Sequence, residues 1–288
     1  MDLESASHIA RSLGLDERGL HLDRIPGGDI AESWLIAASD CRIFLKTLPT
    51  SRAGVLLAEA DGLSALAAAG AIRTPRVIGS GRIHEQAWLA MEFLDLDQRS
   101  NRADRELGRS LARLHRSSNP TFGWHRSNFL GLTPQSNQPS ASWAEFFLWQ
   151  RLGPQLDRLN RHDPTEDWQA LQRPLFESWQ KRFSSHRPQP SLIHGDLWNG
   201  NAAMTDDGEP VIFDPAVHYA DRECDLAMTR LFGGFSDHFY SAYDAEWPPE
   251  PGRDERLPWY QLYHVLNHAN LFGQPYTDRA KTLITRLV

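Results

Sequence analysis

Strand-like runs of apolar residues recur in the first third of the chain and predict β-strands there. Residues 41–46 alternate apolar and polar positions, and further strand-like runs occupy residues 20–25, 33–37 and 88–94, the last of which is typical of a buried strand. A stretch rich in Ala and Leu at residues 53–69 interrupts them and predicts a helix. The pattern therefore predicts a mostly antiparallel sheet with one packed helix, preceded by a short N-terminal helix.

From about residue 103 the periodicity becomes helical. Leu107, Leu111 and Leu114 recur at helical spacing, which predicts a helix with one buried face. Loops rich in Pro, Asn and Ser, such as residues 136–142, separate further helical stretches. These further predicted helices cover residues 143–160, 165–183, 221–232, 258–272 and 278–287.

The two patterns together predict an α+β fold with two lobes. Residues 1–94 form a small, mostly antiparallel lobe, and residues 95–288 form a larger, mainly helical lobe. A chain of 288 residues is long enough to bury a substantial core in such an arrangement. We expect a hinge near residue 95 rather than a long linker.

Composition narrows the class of protein. The formal net charge of −7 gives no basic footprint for nucleic acid. Cys41 and Cys224 lie far apart, so neither a disulfide framework nor a zinc site is expected. The apolar run at residues 63–72 is too short to cross a membrane, and the N-terminus lacks the pattern of a signal peptide. These features predict a cytoplasmic protein that binds neither nucleic acid nor membrane.

The most informative segment is the loop at residues 192–201. It sets Asp196 five residues before Asn201, after a short apolar strand. This spacing is typical of kinase catalytic loops, in which the Asp accepts the proton of the attacking hydroxyl and the Asn binds magnesium. Gly195 stands where protein kinases have Arg and indicates the small-molecule branch. A simple polar turn is the competing interpretation, and the bare pattern alone favours it.

A second candidate metal ligand follows the loop. Residues 210–213 predict a short apolar strand that ends at Asp214, thirteen residues after Asn201. Mg²⁺ prefers hard oxygen ligands, and a carboxylate, an amide oxygen and the phosphates of ATP would supply them. Alone, Asp214 is better explained as a turn residue. Its position after the first motif favours the metal-binding interpretation.

Lys46 ends the predicted strand at residues 41–46 and is one of three lysines in the chain. Because Arg supplies nearly all other positive charge, a Lys here indicates a need for a compact charge on phosphates. Thirteen residues later, Glu59 lies in the predicted helix. A strand Lys paired with a helix Glu is the arrangement that positions the α- and β-phosphates of ATP. The alternative for Glu59 is a solvated helix face.

Two weaker signals complete the nucleotide site. Gly27 and Gly28 lie in a turn where backbone N–H groups can approach phosphates closely. The full glycine-rich pattern is absent, and a plain hairpin turn explains the pair equally well. Met91, Glu92 and Phe93 lie where a buried strand runs into a loop, which fits a hinge that contacts adenine through its backbone.

Short segments along nearly the whole chain match one family in order. Residues 131–135 (Gly-Leu-Thr-Pro-Gln) and 232–235 (Phe-Gly-Gly-Phe) distinguish this family from aminoglycoside and choline kinases, whereas the Asp-to-Asn loop does not. The other matching segments are residues 27–30, 122–125, 128–130, 143–147, 150–152, 154–156, 213–216, 260–263 and 267–268, and the stretch 228–243 around 232–235. On these segments the chain resembles the fructosamine-3-kinase (ketosamine-3-kinase) family, in the aminoglycoside-phosphotransferase-like branch of protein-kinase-like folds.

The resemblance implies a two-lobed protein-kinase-like fold and the use of ATP and Mg²⁺. It further implies phosphorylation of the 3-hydroxyl of a ketosamine, of fructosamine or ribulosamine type, free or protein-bound. The product is unstable in this family and releases the amine, which makes the reaction a deglycation. In these terms Asp196 is the base, Asn201 and Asp214 bind the metal, and Asp225 braces the catalytic loop.

Trp198, two residues after the proposed base, is expected to stack on the sugar, and a core Trp that anchors the loop is the competing interpretation. His194 is expected to hold the loop rather than transfer protons, because Asp196 already accepts the proton of the hydroxyl. For four further aromatic or polar residues a structural role is favoured, with a contact to the substrate cleft as the alternative: Trp124, His125, His268 and Asn270.

One departure from the family pattern concerns Asp29. Several family members carry a cysteine here that is associated with disulfide-linked dimers, so no such disulfide is expected in this chain. Two alternatives stay open at this stage: a kinase of another alcohol, such as an aminoglycoside, choline or homoserine, and an inactive nucleotide-binding protein. The preferred sugar, the preferred amine and the oligomeric state also stay open.

Overall fold

A five-stranded antiparallel sheet forms the N-terminal part of the structure. The structure is a computed structural model, and it describes residues 1–27, 30–39, 41–162 and 167–288. Its spatial order is β1-β2-β3-β5-β4. The strands are β1 His21–Ile25, β2 Glu32–Ala38, β3 Cys41–Pro49, β4 Val77–Ile83 and β5 Gln86–Glu92.

Helices cover both faces of this sheet. Helix α1 (Leu3–Ser12) buries Ile9 against Ile43 and Leu45 of β3, while helix α2 (Ala53–Ala69) packs against the opposite face, where Leu48 lies. Successive residues of a strand point to opposite faces, so the odd-numbered residues of β3 face α1 and the even-numbered ones face α2. Lys46 therefore shares the α2 face with Leu48.

The rest of the chain is mainly helical. Its helices are α3 Asn101–His115, α4 Trp143–Phe147, α5 Gly153–His162, α6 Trp168–Phe183, α7 Glu223–Leu231, α8 Asp237–Glu246, α9 Arg253–Phe272 and α10 Tyr276–Leu287. Their core is rich in aromatic rings, with Phe147 stacked on Trp179 at 4.8 Å between centroids and Tyr260 edge-on to Phe147 at 5.2 Å. None of the helices in the described parts of the chain has the length and apolarity of a membrane span.

Short paired strands flank the loops that lie between the five-stranded sheet and the helical part. They are β6 Leu96–Asp97, β7 Asn128–Leu130, β8 Thr133–Gln135, β9 Ser191–Ile193, β10 Ala202–Thr205, β11 Pro210–Ile212 and β12 His218–Ala220. Strand β9 pairs with β12, and β10 lies between β11 and β6. As a result, the loop after β9 and the loop after β11 open side by side.

The predicted two-lobed α+β architecture is confirmed, and α2 has the predicted bounds. The exact division at residues 94 and 95 stays a prediction. Three helices differ from expectation. Helix 143–160 is interrupted by a π-helical segment at Leu148–Leu152, which turns Arg151 inward to donate to the Ser136 carbonyl at 2.6 Å. Part of the predicted 165–183 helix lies outside the described residues, and α9 begins at Arg253 rather than at Pro258.

Helix α8 was not predicted from the sequence. Phe239, Ala242 and Tyr243 are buried at helical spacing and face α3. The contact is close, since a Cβ added at Gly108 of α3 would lie 2.2 Å from the Phe239 carbonyl oxygen. The helix is thus stabilised by tertiary packing rather than by its own composition.

Candidate active site

A cleft of about 1620 Å³ lies between the sheet and the helical part. A single small ligand usually occupies about 300 to 1000 Å³, so this cleft has room for two reactants. Two ends can be distinguished. The ion-paired end contains Lys46, Glu59 and Asp214, and the aromatic end contains Trp198 and three further rings described below.

Lys46 is buried between two carboxylates at the ion-paired end. Its Nζ lies 2.7 Å from Oε1 of Glu59 and also forms an ion pair with Asp214. Burial opposes the charged form of Lys46, but Asp214 and Glu59 outweigh it and raise the pKa of the ammonium. One cation thus faces two acids. Burial also opposes ionisation of Asp214, yet Lys46 holds its pKa below the usual value, while burial raises the pKa of Glu59 to about 7.

Contacts with the helical part fix α2 and therefore Glu59. Trp124 donates from its indole nitrogen to Asp61 of α2 at 2.8 Å. A Cβ added at Gly62 would meet Pro215 Cγ at 3.0 Å, so α2 approaches the segment after Asp214 closely. Trp124, interpreted as structural from the sequence, has this bracing role in the structure.

Asp225 holds the start of the loop that contains Asp196. Its carboxylate accepts hydrogen bonds from the backbone N–H groups of His194 (2.8 Å) and Gly195 (2.9 Å), and from His115 Nε2 (3.1 Å). Gly195 has a φ of 82°, and a Cβ there would lie 2.2 Å from the Ala216 carbonyl oxygen. Only glycine fits both conditions. The bracing role that the resemblance implied for Asp225 agrees with these contacts.

His194 links this loop to the segment that carries Asp214. Its Nε2 donates to the Phe213 carbonyl at 2.9 Å, and its Nδ1 accepts from the Asp196 N–H at 3.2 Å. Burial lowers the pKa of His194, so the ring is neutral in this arrangement. Asp214 adopts a left-handed φ of 58°. That conformation is uncommon outside glycine, and here it directs the carboxylate toward Lys46.

Asp196 and Asn201 lie together in the cleft. Asn201 Nδ2 donates to the Asp196 carbonyl oxygen at 2.9 Å and lies 3.4 Å from its Oδ2. Burial, and then the charges of Asp214 and Asp225, raise the pKa of Asp196 to about 7. A carboxyl group with a pKa near neutrality is well matched to accept a proton from a hydroxyl group.

The remaining nucleotide-site residues that were predicted from the sequence line the same cleft where they are described. Gly27, Met91, Glu92 and Phe93 all do so, whereas Gly28 lies outside the described residues, as does Asp29. The Glu92 side chain accepts from Arg73 at 2.9 Å, and Arg73 also donates to Glu209 of the helical part at 3.1 Å, so Glu92 supports the connection between the two parts of the molecule.

Trp198 lies at the aromatic end and is 38% exposed. Its indole folds over the backbone of Gly200, where an added Cβ would lie 2.4 Å from the ring. Phe232, Phe272 and Tyr276 line this end as well, together with His268. Sequence reasoning did not select these three rings. The Phe-Gly-Gly-Phe segment was the available signal for Phe232, while Phe272 and Tyr276 lack one.

Arg99 is a second residue that sequence reasoning missed. Its side chain is almost fully buried and donates to Asp104 Oδ1 (2.7 Å), the Ala202 carbonyl (2.6 Å), Asn199 Oδ1 (3.1 Å) and the Gly234 carbonyl (2.9 Å). It thereby ties the loop around Asn201 to the Phe-Gly-Gly-Phe segment. Three of these contacts join positions 100 or more residues apart, so local sequence carries no sign of them.

Comparison with known proteins identifies the family. The fructosamine kinase family model matches residues 1–288. A probable ketoamine kinase of Synechocystis is 38% identical over 280 residues, which covers 97% of this chain and 94% of the relative. A solved structure from Haemophilus somnus, described as a candidate fructosamine-3-kinase, has a TM-score of 0.89 at 29% identity and covers 99% of this chain and 96% of that one.

A spectinomycin phosphotransferase, solved with ADP and spectinomycin, shares the fold at a TM-score of 0.61 and 15% identity, over 100% of this chain and 92% of that one. At that identity the likeness concerns the fold alone. The family model, in contrast, covers the whole chain, and the ketoamine kinase relative covers 97% of it. The chain belongs to the fructosamine kinase family, as the resemblance predicted.

Proposed function

We propose that this protein transfers the γ-phosphoryl group of ATP to the 3-hydroxyl of a ketosamine. The observation that carries the proposal is the meeting of Lys46, Asp214 and Asp196 in one cleft, in a chain of the fructosamine kinase family. The acceptor is a sugar of fructosamine or ribulosamine type joined to an amine. Phosphorylation at this position destabilises the adduct and releases the amine, so the outcome is deglycation.

Asp196 is the proposed base. It orients the acceptor hydroxyl and takes its proton as the oxygen attacks the γ-phosphorus. The raised pKa of Asp196, about 7, supports this role. Lys46 binds the α- and β-phosphates, Glu59 orients Lys46, and Gly27 with Gly28 covers the phosphates. The backbone of residues 91–93 contacts adenine. Catalysis then rests on positioning and charge stabilisation.

Asn201 and Asp214 are the proposed ligands of Mg²⁺. Their amide and carboxylate oxygens are the hard donors that this ion prefers. The Asn201 NH₂ group is engaged by Asp196, which leaves the amide oxygen available for a cation. Bound Mg²⁺ would neutralise charge on the phosphates of ATP. Trp198 is the proposed sugar-stacking residue.

Kinases of other alcohols share the fold, but family membership favours a ketosamine over an aminoglycoside, choline or homoserine. An inactive protein is also disfavoured, because every side chain that the reaction needs is present. We further propose a cytoplasmic location. The free thiols Cys41 and Cys224 support a reducing compartment.

The decisive experiment is a product analysis. Purified protein is incubated with ATP, Mg²⁺ and the fructose adduct of methylamine, and the phosphate position is determined by NMR. Aminoglycoside, choline and homoserine serve as competing acceptors. We expect phosphate on the 3-oxygen of the ketosamine. Phosphate on another oxygen, or preferential turnover of one of the competing alcohols, would overturn the proposed reaction.

A further inference from the structure

We propose that the aromatic end of the cleft binds the amine substituent of a protonated ketosamine and selects adducts of apolar amines over adducts of α-amino acids. The surface in question, called the aromatic wall, consists of Phe232, Phe272 and Tyr276 around His268. The inference rests on the proposed function, because it concerns the acceptor of that reaction. It adds the chemical class of the amine.

The aromatic wall is a continuous set of rings. The His268 ring lies 5.0 Å from Phe232, 5.6 Å from Phe272 and 4.9 Å from Tyr276 between centroids. The wall begins beside the catalytic loop, because Phe232 lies 6.1 Å from the Trp198 indole. His268 Nδ1 donates to the His264 carbonyl at 2.8 Å, which fixes the ring at the centre of the set.

These rings are more exposed than a structural role would require. Phe272 is 50% exposed and Phe232 is 36% exposed. Within the described parts of the chain, four Trp or Phe side chains are strongly exposed, and three of them line this end of the cleft. The fourth, Trp149, lies elsewhere on the surface. Clustered exposed apolar side chains mark a binding surface, whereas scattered ones do not.

The charges of the cleft determine which substituents suit the wall. Eight Asp and Glu residues line the cleft, and among the described lining residues Lys46 is the single Lys or Arg. Lys46 is already paired with Glu59 and Asp214. A carboxylate next to the amine would therefore meet an acidic lining without a cationic partner. A protonated secondary amine is instead attracted both by the carboxylates and by the faces of the rings.

The covalent geometry of a ketosamine brings its amine to this wall. The amine nitrogen is four bonds from the 3-oxygen, so it lies within about 5 Å of the oxygen that reacts. With the 3-hydroxyl at Asp196, the substituent emerges beside Trp198, where the wall begins. Arg279 stacks on Phe232 at 5.7 Å but does not line the cleft, so it is not placed to bind a carboxylate there.

The test compares three fructose adducts, those of methylamine, 2-phenylethylamine and phenylalanine. The last two differ by one carboxylate. We expect kcat/KM for the phenylethylamine adduct to exceed that for the methylamine adduct by about tenfold, the gain from burying one phenyl group. It should also exceed that for the phenylalanine adduct, because the added carboxylate meets the acidic lining of the cleft. Equal values for phenylethylamine and methylamine would overturn the role of the wall. A preference for the phenylalanine adduct would overturn the charge argument and direct attention to Arg279.

Substitutions in the aromatic wall test whether these rings cause the preference for the phenylethylamine adduct. Phe272→Ala should reduce the ratio of kcat/KM for the phenylethylamine adduct over the methylamine adduct about tenfold. Trp149→Ala is the matched control, because it removes an equally exposed ring outside the cleft and should leave the ratio unchanged. If Phe272→Ala fails to fold, Phe272→Leu keeps apolar bulk and should still lower the ratio. An unchanged ratio in the folded variant would overturn the proposal.

Turnover of the methylamine adduct distinguishes a failure of the proposed function from a failure of the inference about the amine. Its phosphorylation by the wild-type protein depends on the proposed reaction and does not require the wall. If the wild-type protein does not phosphorylate this adduct, the proposed function is overturned, and the inference with it. Turnover of this adduct together with no preference among the three amines would overturn the inference alone.

Discussion

At the ion-paired end of the cleft, Lys46 is buried between Glu59 and Asp214, whereas at the aromatic end Phe272 and Trp198 stand exposed. Both ends belong to one cleft, which Asp196 also lines. The ion-paired end is held in place by ion pairs and by hydrogen bonds between residues that are distant in sequence. The aromatic end presents exposed rings, which we propose contact the acceptor.

The difference follows from what each end must bind. Phosphates are highly charged and nearly identical in every ATP-dependent enzyme, so their site can be built from fixed charges before the ligand arrives. An acceptor varies in shape and in its amine, and an aromatic surface can bind a range of apolar groups without specific hydrogen bonds. Under the proposed function, the ion-paired end determines the reaction and the aromatic end determines which acceptor is preferred.

The largest effect is expected at Asp196, where the two ends meet. Asp196→Asn should lower kcat by about 10² to 10⁴-fold, the usual contribution of a positioned base. ATP binding, measured by thermal shift, should change little, because the substitution leaves Lys46 and Asp214 in place. Asp237→Asn, an exposed Asp on α8, is the matched control. Retention of wild-type kcat by Asp196→Asn would remove Asp196 from the mechanism.

The ion-paired end was largely predictable from the sequence. Lys46, Glu59, Asn201 and Asp214 lie at spacings that kinase chemistry requires, and alternation along β3 alone puts Lys46 on the face that α2 covers. What the sequence could not indicate is how these residues are held. The Trp124 to Asp61 hydrogen bond joins positions 63 residues apart, and such pairings follow from tertiary structure only.

Loss of the Lys46 charge is the next largest effect. Lys46→Met should lower kcat/KM for ATP about 10- to 100-fold, the value of a charge-assisted contact to phosphate. Because the ketosamine binds at the other end, the KM for the ketosamine should change much less. Lys181→Met, on the exposed surface of α6, is the control. Equal losses for both substrates would show that the two ends are not separable.

The aromatic end was predicted only in part. Trp198 was selected because it lies inside the predicted catalytic motif, but Phe272 and Tyr276 lie more than 70 positions later, at the junction of α9 and α10. Aromatic residues in helices are more often core than binding residues, so their type gave no signal. Their exposure distinguishes them, and exposure is a property of the folded chain.

A smaller effect tests the position of Trp198. Gly200→Ala would place a Cβ 2.4 Å from the indole, so the ring must move. We expect the KM for the ketosamine to rise up to about tenfold, because the displaced ring loses its proposed contact with the sugar. The KM for ATP should change less.

A double-mutant cycle makes this test specific. In the Trp198→Ala background there is no indole to displace, so Gly200→Ala should cost little more. The coupling between the two sites is the measured quantity. Independent, additive effects of the two substitutions would contradict the close contact between the indole and the backbone of Gly200.

The smallest effect concerns the support of the aromatic end. His264 is buried in α9, one turn before His268, and burial lowers its pKa to about 3. The unfolded chain, with a His pKa near 6.5, binds more protons than the folded one between these values, so stability is present at pH 7 and is lost as the pH falls. Between pH 7 and 5.5 this single group should cost about 1 kcal/mol. Measured by urea unfolding, His264→Gln should lose correspondingly less stability over this pH range. His8→Gln, exposed on α1, is the control and should match the wild type. An identical pH dependence in all three proteins would mean that charging His264 does not destabilise the helix that carries His268 and Phe272.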